Sequence, residues 1–244
     1  MRLLAFDTAT RLTAVALRDL ETETNVCARE TLDLAVVDDP PAGGRPGHAQ
    51  KLLVLIQELF ERAGTNWGTV DRIAVGIGPG TFTGLRIGIA TAQALASATG
   101  LPLVGVSTLS ALALAAHDRK PAAAKLAVID ARRGEAFVAG WRAGDGPLDA
   151  EPMLRPQVLT PAQLARVASG SGAGTLAVGD GASKFRQILE DAGLNVPDEQ
   201  SPLHRVSARE HCRLATLLAP SSDGTVAPEY LRLPDAEISS KAKP

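Results

Sequence analysis

One plan of elements is written twice in this chain, and that repetition limits the folds open to it more than any other feature. Near the N-terminus the apolar run Leu3-Leu4-Ala5-Phe6 ends in the polar turn Asp7-Thr8-Ala9-Thr10. In the second half Lys125-Leu126-Ala127-Val128-Ile129 ends in Asp130, followed by Ala131-Arg132-Arg133-Gly134. A further pair matches as well: Ile73-Ala74-Val75-Gly76-Ile77-Gly78 and Leu176-Ala177-Val178-Gly179-Asp180-Gly181 each read as a buried strand leading into a helix. A duplicated series of strand, strand, third strand, helix, strand, helix predicts an α/β protein of two similar lobes, each a mixed sheet flanked by helices.

The details follow from local chemistry. Alternation over 12–17 predicts a second strand and 25–32 can supply a third, giving an antiparallel meander with the first. Proline, glycine and aspartate over 36–47 predict a surface loop. A helix begins at His48 and stops at Gly64, and its apolar positions Leu52, Leu53, Leu55, Ile56, Leu59, Phe60 and Ala63 cover roughly 160°. One core contact needs little more than 100°, so the excess suggests a second contact with His48 and Leu55 at its rim. A strand over 70–77 leads through Gly78-Pro79-Gly80-Thr81-Phe82-Thr83 into a helix running from Gly84 to about Thr99. Gly84, Gly88, Ala92 and Ala96 recur every four residues along it, a smooth ridge that another helix, or the domain's own sheet, could approach closely. In the second half, Thr160-Pro161-Ala162-Gln163 reads as a capping box with proline at the first helical position. Ser207-Ala208-Arg209-Glu210 starts a last helix reaching about Ala219. Residues 228–232 read as ordered and 235–244 as a frayed polar tail. The expected division is an N-terminal lobe over 1–106, carrying both docking helices, and a C-terminal lobe over 107–244.

Composition narrows the function. The formal net charge is −2 and the isoelectric point about 6.1, so the chain alone is not expected to hold a nucleic acid by counterion release. Cys27 and Cys212 form no C-x-x-C and read as free thiols of a reducing compartment. The opening apolar run is too short for a signal-peptide core or a membrane span, and the expected location is the cytoplasm.

Few residues suggest chemistry. Asp7, Thr8 and Thr10, with Asp130 in the second copy, lie in turns after strands. In two-lobed ATPases such turns hold metal-bound phosphates, while the plainer reading is that each carboxylate caps its turn. The glycines over 76–84 match neither a Walker sequence nor G-x-G-x-x-G, and they suit a tight turn and a close helix approach. His48, His117, His204 and His211 include no pair three or four apart, so no metal site is expected. Ser107 and Ser110 lack a G-x-S-x-G context. No catalytic constellation emerges.

The run Gly78-Pro79-Gly80-Thr81-Phe82-Thr83-Gly84-Leu85-Arg86-Ile87-Gly88 strongly resembles the TsaB (YeaZ) family. Phe6-Asp7-Thr8-Ala9-Thr10, His48-Ala49-Gln50, Gly105-Val106-Ser107-Thr108-Leu109, Asp130-Ala131-Arg132-Arg133-Gly134-Glu135 and Tyr230-Leu231-Arg232 agree in order, so the likeness extends over essentially the whole chain; the loop before His48 is longer than the family leads one to expect. The resemblance implies an actin-like (ASKHA) fold and a non-catalytic role in making threonylcarbamoyladenosine next to the anticodon of tRNA. It implies a heterodimer with a TsaD-like transferase, a TsaE-like ATPase as a further partner, and a homodimer when TsaD is absent. tRNA would be met only through the complex, and no membrane is involved. No cofactor is implied for this chain alone, with ATP or ADP a candidate in the assembled complex. TsaD-like chains carry H-x-x-x-H metal ligands where Thr108 and Leu112 stand here. The helices at 48–63 and 84–98 match those that family members use for docking. The expected contact residues are therefore His48, Leu52, Leu55, Leu59, Gly80, Phe82, Gly84, Leu85, Arg86, Gly88 and Ala92. A bulky residue at Gly84 or Gly88 would then abolish the heterodimer and leave the monomer folded. The rival reading is an ATPase or small-molecule kinase of the same fold using Asp7 and Asp130; a metalloprotease would need a metal site that the residues do not provide.

Overall fold

The computed structural model describes residues 1–20, 32–41 and 44–232. Five strands form the first sheet: β1 Arg2–Asp7, β2 Thr13–Asp19, β3 Asp33–Asp38, β4 Arg72–Gly78 and β5 Leu103–Ser107, in the order β3-β2-β1-β4-β5. β1 runs antiparallel to β2 and parallel to β4. The second sheet repeats this arrangement with β6 Lys125–Asp130, β7 Ala136–Trp141, β8 Leu154–Leu159 and β9 Leu176–Val178, in the order β8-β7-β6-β9. Here too the first strand is antiparallel to the second and parallel to the fourth. A fifth position survives as one bridge between Leu176 and Asn195. The duplication expected from sequence is the architecture observed.

Period-two alternation assigns the layers. Leu4 and Phe6 of β1 face α1 (His48–Arg62) and α2 (Phe82–Thr99), packing with Leu52, Leu59 and Ile89. Leu3 and Ala5 face the opposite way, toward α3 (Thr108–Arg119) and α7 (Ala208–Ala215). α3 is apolar nearly all round because it lies between the sheets. Ala111 and Leu114 pack on the first sheet, Leu109, Leu112 and Ala116 on the second. α4 (Pro161–Gly170), α5 (Asp180–Lys184) and α6 (Arg186–Asp191) follow in the second lobe, where Leu164, Ala182 and Leu189 cover its outer face. The capping box at Thr160 and Gln163 is present, and Gly100 ends α2 in the left-handed conformation.

Three expectations shift. The third strand is Asp33–Asp38, later than 25–32 and reaching into the segment read as loop. Val36 pairs with Val15 and Leu34 with Leu17, so apolar partners hold the chain extended until Pro40 and Pro41. Of the earlier range, 25–31 lies outside the described residues, as do Cys27 and the 235–244 tail. The last helix ends at Ala215, where i→i+3 bonds from Thr216 and Leu217 tighten the chain ahead of Pro220. Ser207 makes no side-chain cap, and Glu210 is drawn to Arg213 at 2.8 Å. The sheets divide near residue 107, but α7 returns to the first sheet, and residues 228–232 also cross back through Glu229 N–H to the Ile77 carbonyl at 2.7 Å.

Candidate functional site

The turn after β1 is where the lobes meet. Asp7 is 1% exposed. Its Oδ1 accepts the Ala9 amide at 2.7 Å, and its Oδ2 accepts the Thr108 hydroxyl at 2.8 Å and His211 Nε2 at 2.9 Å. Burial pushes this carboxyl upward, yet His211, the Ala9 amide and Thr108 together more than offset it and hold Asp7 below the usual carboxylate range. Thr8 is buried and donates to the Gly84 carbonyl at 2.7 Å. The Thr10 hydroxyl accepts the Leu12 amide at 3.3 Å, and Thr10 lines a cleft of about 740 Å³ between the lobes. The second copy makes the same local bond, Asp130 Oδ1 accepting the Arg132 amide at 2.9 Å. Its carboxylate also pairs with Lys184 at 2.7 Å.

The cleft is closed at one side by Asp39, which pairs with Arg11 and with Arg205 of the second lobe, each at 3.1 Å. Asp180 keeps a partly exposed edge there, but surrounding protein crowds it and pushes its carboxyl up, helped by the charge of Asp130. Asp7 is therefore shut away from this cleft, while Thr10 borders it. The two aspartates of the ATPase reading act as turn caps, one of them joining the lobes.

The residues expected at a docking face divide sharply. His48, Leu52, Leu55, Leu59, Gly84, Leu85, Gly88 and Ala92 are buried in this chain's own core. His48 Nδ1 is 2.9 Å from the Thr13 hydroxyl, and burial holds this imidazole below its usual range. The glycine-alanine ridge turns inward. A Cβ at Gly84 would strike the Thr8 carbonyl, one at Gly88 the Thr8 hydroxyl, and one at Gly80 the Ala9 carbonyl. The close approach that glycine permits is thus between α2 and the Asp7–Thr10 turn, which corrects the reading of this ridge as an intersubunit contact. A bulky residue at Gly84 or Gly88 would destabilise the monomer itself, whatever it did to a dimer.

Two of the expected residues do face outward. Phe82 is exposed and stacks on Tyr230 with ring centroids 5.5 Å apart, and Arg86 lies over Phe82 at 3.8 Å. Sequence reasoning missed the rest of the outer surface. Leu53 and Val54 of α1 are 55% and 59% exposed, and α2 presents Ala90 and Ala94 beside the half-buried Ile87. Leu53 stood at the edge of the wide apolar arc, the one signal that pointed here; Val54 lay beyond that arc.

Thr108 and Leu112, the positions matching metal-binding histidines in TsaD-like chains, are a buried hydroxyl bonded to Asp7 and a core side chain against the second sheet. Neither the donor chemistry of leucine nor the engaged threonine fits a metal there. Among the described residues, no group of three or more His, Cys, Asp or Glu side chains is placed to hold a metal ion. No helix among them is long and apolar enough to cross a membrane.

Two lobes repeating one strand order, with an aspartate turn after the first strand of each, define a protein of the actin-like (ASKHA) class. The chain belongs to the family described as "TsaD: tRNA N6-adenosine threonylcarbamoyltransferase", whose profile matches residues 41–197. Within that family it is similar to proteins named tRNA threonylcarbamoyladenosine biosynthesis protein TsaB. The Escherichia coli protein is 35% identical over 166 residues, 65% of this chain and 64% of that one. The Haemophilus influenzae protein is 36% identical over 139 residues, 56% and 52% of the two chains. These matches span less than two thirds of either relative's length. The solved YeaZ structure from Pseudomonas aeruginosa aligns with a TM-score of 0.72 at 28% identity, covering 94% of this chain and 99% of that one. A second Pseudomonas aeruginosa structure, described as similar to peptidase YeaZ, aligns over 95% and 99% with a TM-score of 0.74.

Proposed function

We propose that this chain is a non-catalytic subunit of tRNA threonylcarbamoyladenosine biosynthesis that works by docking onto a TsaD-like transferase of its own family. The observation carrying this reading is the exposed apolar strip on α1 and α2, where Leu53 and Val54, with Gln57, Glu58 and Glu61 around them, and Ile87, Ala90 and Ala94 stand over the core. Small outward residues on α2 let a partner helix approach closely, and exposed leucine and valine supply apolar area to bury. The names of the TsaB relatives and the transferase profile supply the pathway and the class of partner. On this reading the chain itself needs no cofactor. ATP or ADP, with a TsaE-like ATPase, belongs to the assembled complex, and the same face self-associates when the transferase is missing. The ATPase alternative finds less support, since both oxygens of Asp7 are engaged inside the protein.

The test is chromatographic. Leu53→Asp and Ala94→Arg lie on exposed positions and should leave the circular dichroism and melting of the monomer unchanged. Each should weaken pairing with the transferase paralogue by about tenfold or more, about 1.4 kcal/mol. Full-strength pairing by both variants would remove this face from the mechanism.

A further inference from the structure

The outer ridge of α2 does not stop at Ala90. Phe82, Arg86, Ala90 and Ala94 recur every four residues and all four are exposed. They stand on one line along the helix, about 18 Å from end to end. The apolar strip of the docking face thus continues onto a stack of a different kind. Tyr230 lies against Phe82 with the ring planes 29° apart, Arg86 covers the Phe82 ring, and Arg86 Nε donates to the Tyr230 hydroxyl at 3.3 Å. Tyr230 comes from 144 residues beyond Arg86 and is held at α2 by bonds on both sides of it. Glu229 N–H donates to the Ile77 carbonyl at 2.7 Å, while Arg232 donates to the Ala131 carbonyl at 3.2 Å and pairs with Glu135.

The stack fastens this segment, yet it leaves its rings uncovered: Phe82 and Tyr230 are 39% and 40% exposed. Rings whose rotamers are already set by stacking lose little freedom when a partner covers them. Tyrosine and arginine are also the side chains that most often carry the energy of a contact. Ala90 and Ala94 let a partner helix come close but give it little area to bury, and the two rings supply that area at the start of the same ridge. Arg86 adds direction. No carboxylate pairs with it among the described residues, so its outer N–H groups are left for an acceptor on the partner, and a carboxylate suits them best. Charge does not favour a nucleic acid at this place. The basic side chains of the neighbouring β6–β7 turn and of Lys184 and Arg232 are accompanied by Asp130, Glu135 and Asp180.

We propose that Phe82, Arg86 and Tyr230 anchor the transferase paralogue at one end of the docking strip, with a carboxylate of the partner seated on Arg86. Segment 228–232 is then part of the interface. This rests on the heterodimer reading and extends it beyond α1 and α2. Because Arg232 is bound to the second lobe, a partner that covers Tyr230 grips both lobes at once.

The experiment titrates the purified chain with the purified transferase paralogue over a series of salt concentrations. Tyr230→Ala should leave the isolated chain folded by circular dichroism and weaken pairing about tenfold or more. Tyr230→Phe, which keeps the ring, should retain most of the affinity. Arg86→Gln should weaken pairing and flatten its salt dependence. Tyr230→benzoylphenylalanine should crosslink to the paralogue on illumination, a result that mere loosening of the segment would not give. Full-strength pairing by Tyr230→Ala, or no crosslink from position 230, overturns the proposal. If Leu53→Asp and Ala94→Arg still weaken pairing in that case, the docking strip survives the loss of its anchor. Wild-type salt dependence in Arg86→Gln overturns the proposal as well, because no carboxylate then sits on the guanidinium. Weaker self-association of Tyr230→Ala with heterodimer affinity intact would give the stack to a second copy of this chain and overturn it too. A wild-type chain that never pairs removes strip and anchor together.

Discussion

A carboxylate that accepts three hydrogen bonds out of contact with water has been turned from a reagent into a rivet. Asp7 receives Ala9, Thr108 and His211, from the turn, from α3 and from α7 respectively. Removing it in Asp7→Ala leaves buried groups of Ala9, Thr108 and His211 without their hydrogen-bond partner and should cost at least about 1–3 kcal/mol at neutral pH. The pH dependence has a definite sign. The folded value of Asp7 lies below its ordinary one, so its stabilisation is complete above about pH 4. That contribution drains away as pH falls through the lower folded value. The variant should lose this part of the acid limb. Urea unfolding at a series of pH values reads both effects, and equal stability of the two proteins at neutral pH would show that Asp7 fastens nothing. The turn-capping role of this residue was legible in the Asp-Thr-Ala-Thr pattern. Its link to His211, 204 residues away, was not, because nothing local encodes such a pairing.

At the scale of the element, α2 shows how far periodicity goes. Its span and its glycine stop could be read from sequence, and so could the small-residue stripe. A stripe at spacing four states that something comes close without stating what. The occupant is the turn after β1: Thr8 donates to Gly84 and fills the groove at Gly88. Gly84→Val and Gly88→Val should therefore each destabilise the isolated chain by about 1–3 kcal/mol or more through overpacking against backbone. Differential scanning calorimetry of the monomer decides the matter. A variant that melts like wild type yet no longer pairs would return the ridge to the interface. On α1 the same limit appears in another form: the wide apolar arc announced a second contact, but Leu55 at its rim is core and Leu53 with Val54 is surface. The two leucines stand at opposite edges of the arc, and the wheel gives each the same claim to the core; only the packing of neighbouring elements decides between them.

For the whole molecule, the duplication was readable because each lobe repeats a strand, an aspartate and a turn, whereas the sharing of layers between lobes was not. The first sheet has one face covered from within the lobe by α1 and α2. Its other face is covered by α3, which also serves the second sheet, and by α7, from the far end of the chain. A fragment holding residues 1–106 would leave Leu3, Ala5, Ala14, Ala16, Val104 and Val106 without a cover. An exposed apolar sheet face of that extent drives association in place of folding. The fragment should be collapsed or aggregated, without the cooperative melt of a native domain. The full chain should unfold in one transition, with calorimetric and van't Hoff enthalpies in agreement. Because α3 packs on both sheets and Asp7 touches both α3 and α7, neither lobe can open alone without stripping the other. Two separated transitions in the full chain, or a soluble and cooperatively folded fragment, would mean the lobes are held by their own cores and that the shared helices are secondary. If the single transition is found, the docking face stands on a body stiffened from both ends of the sequence, so a partner gripping α1 and α2 meets a surface already in its bound shape.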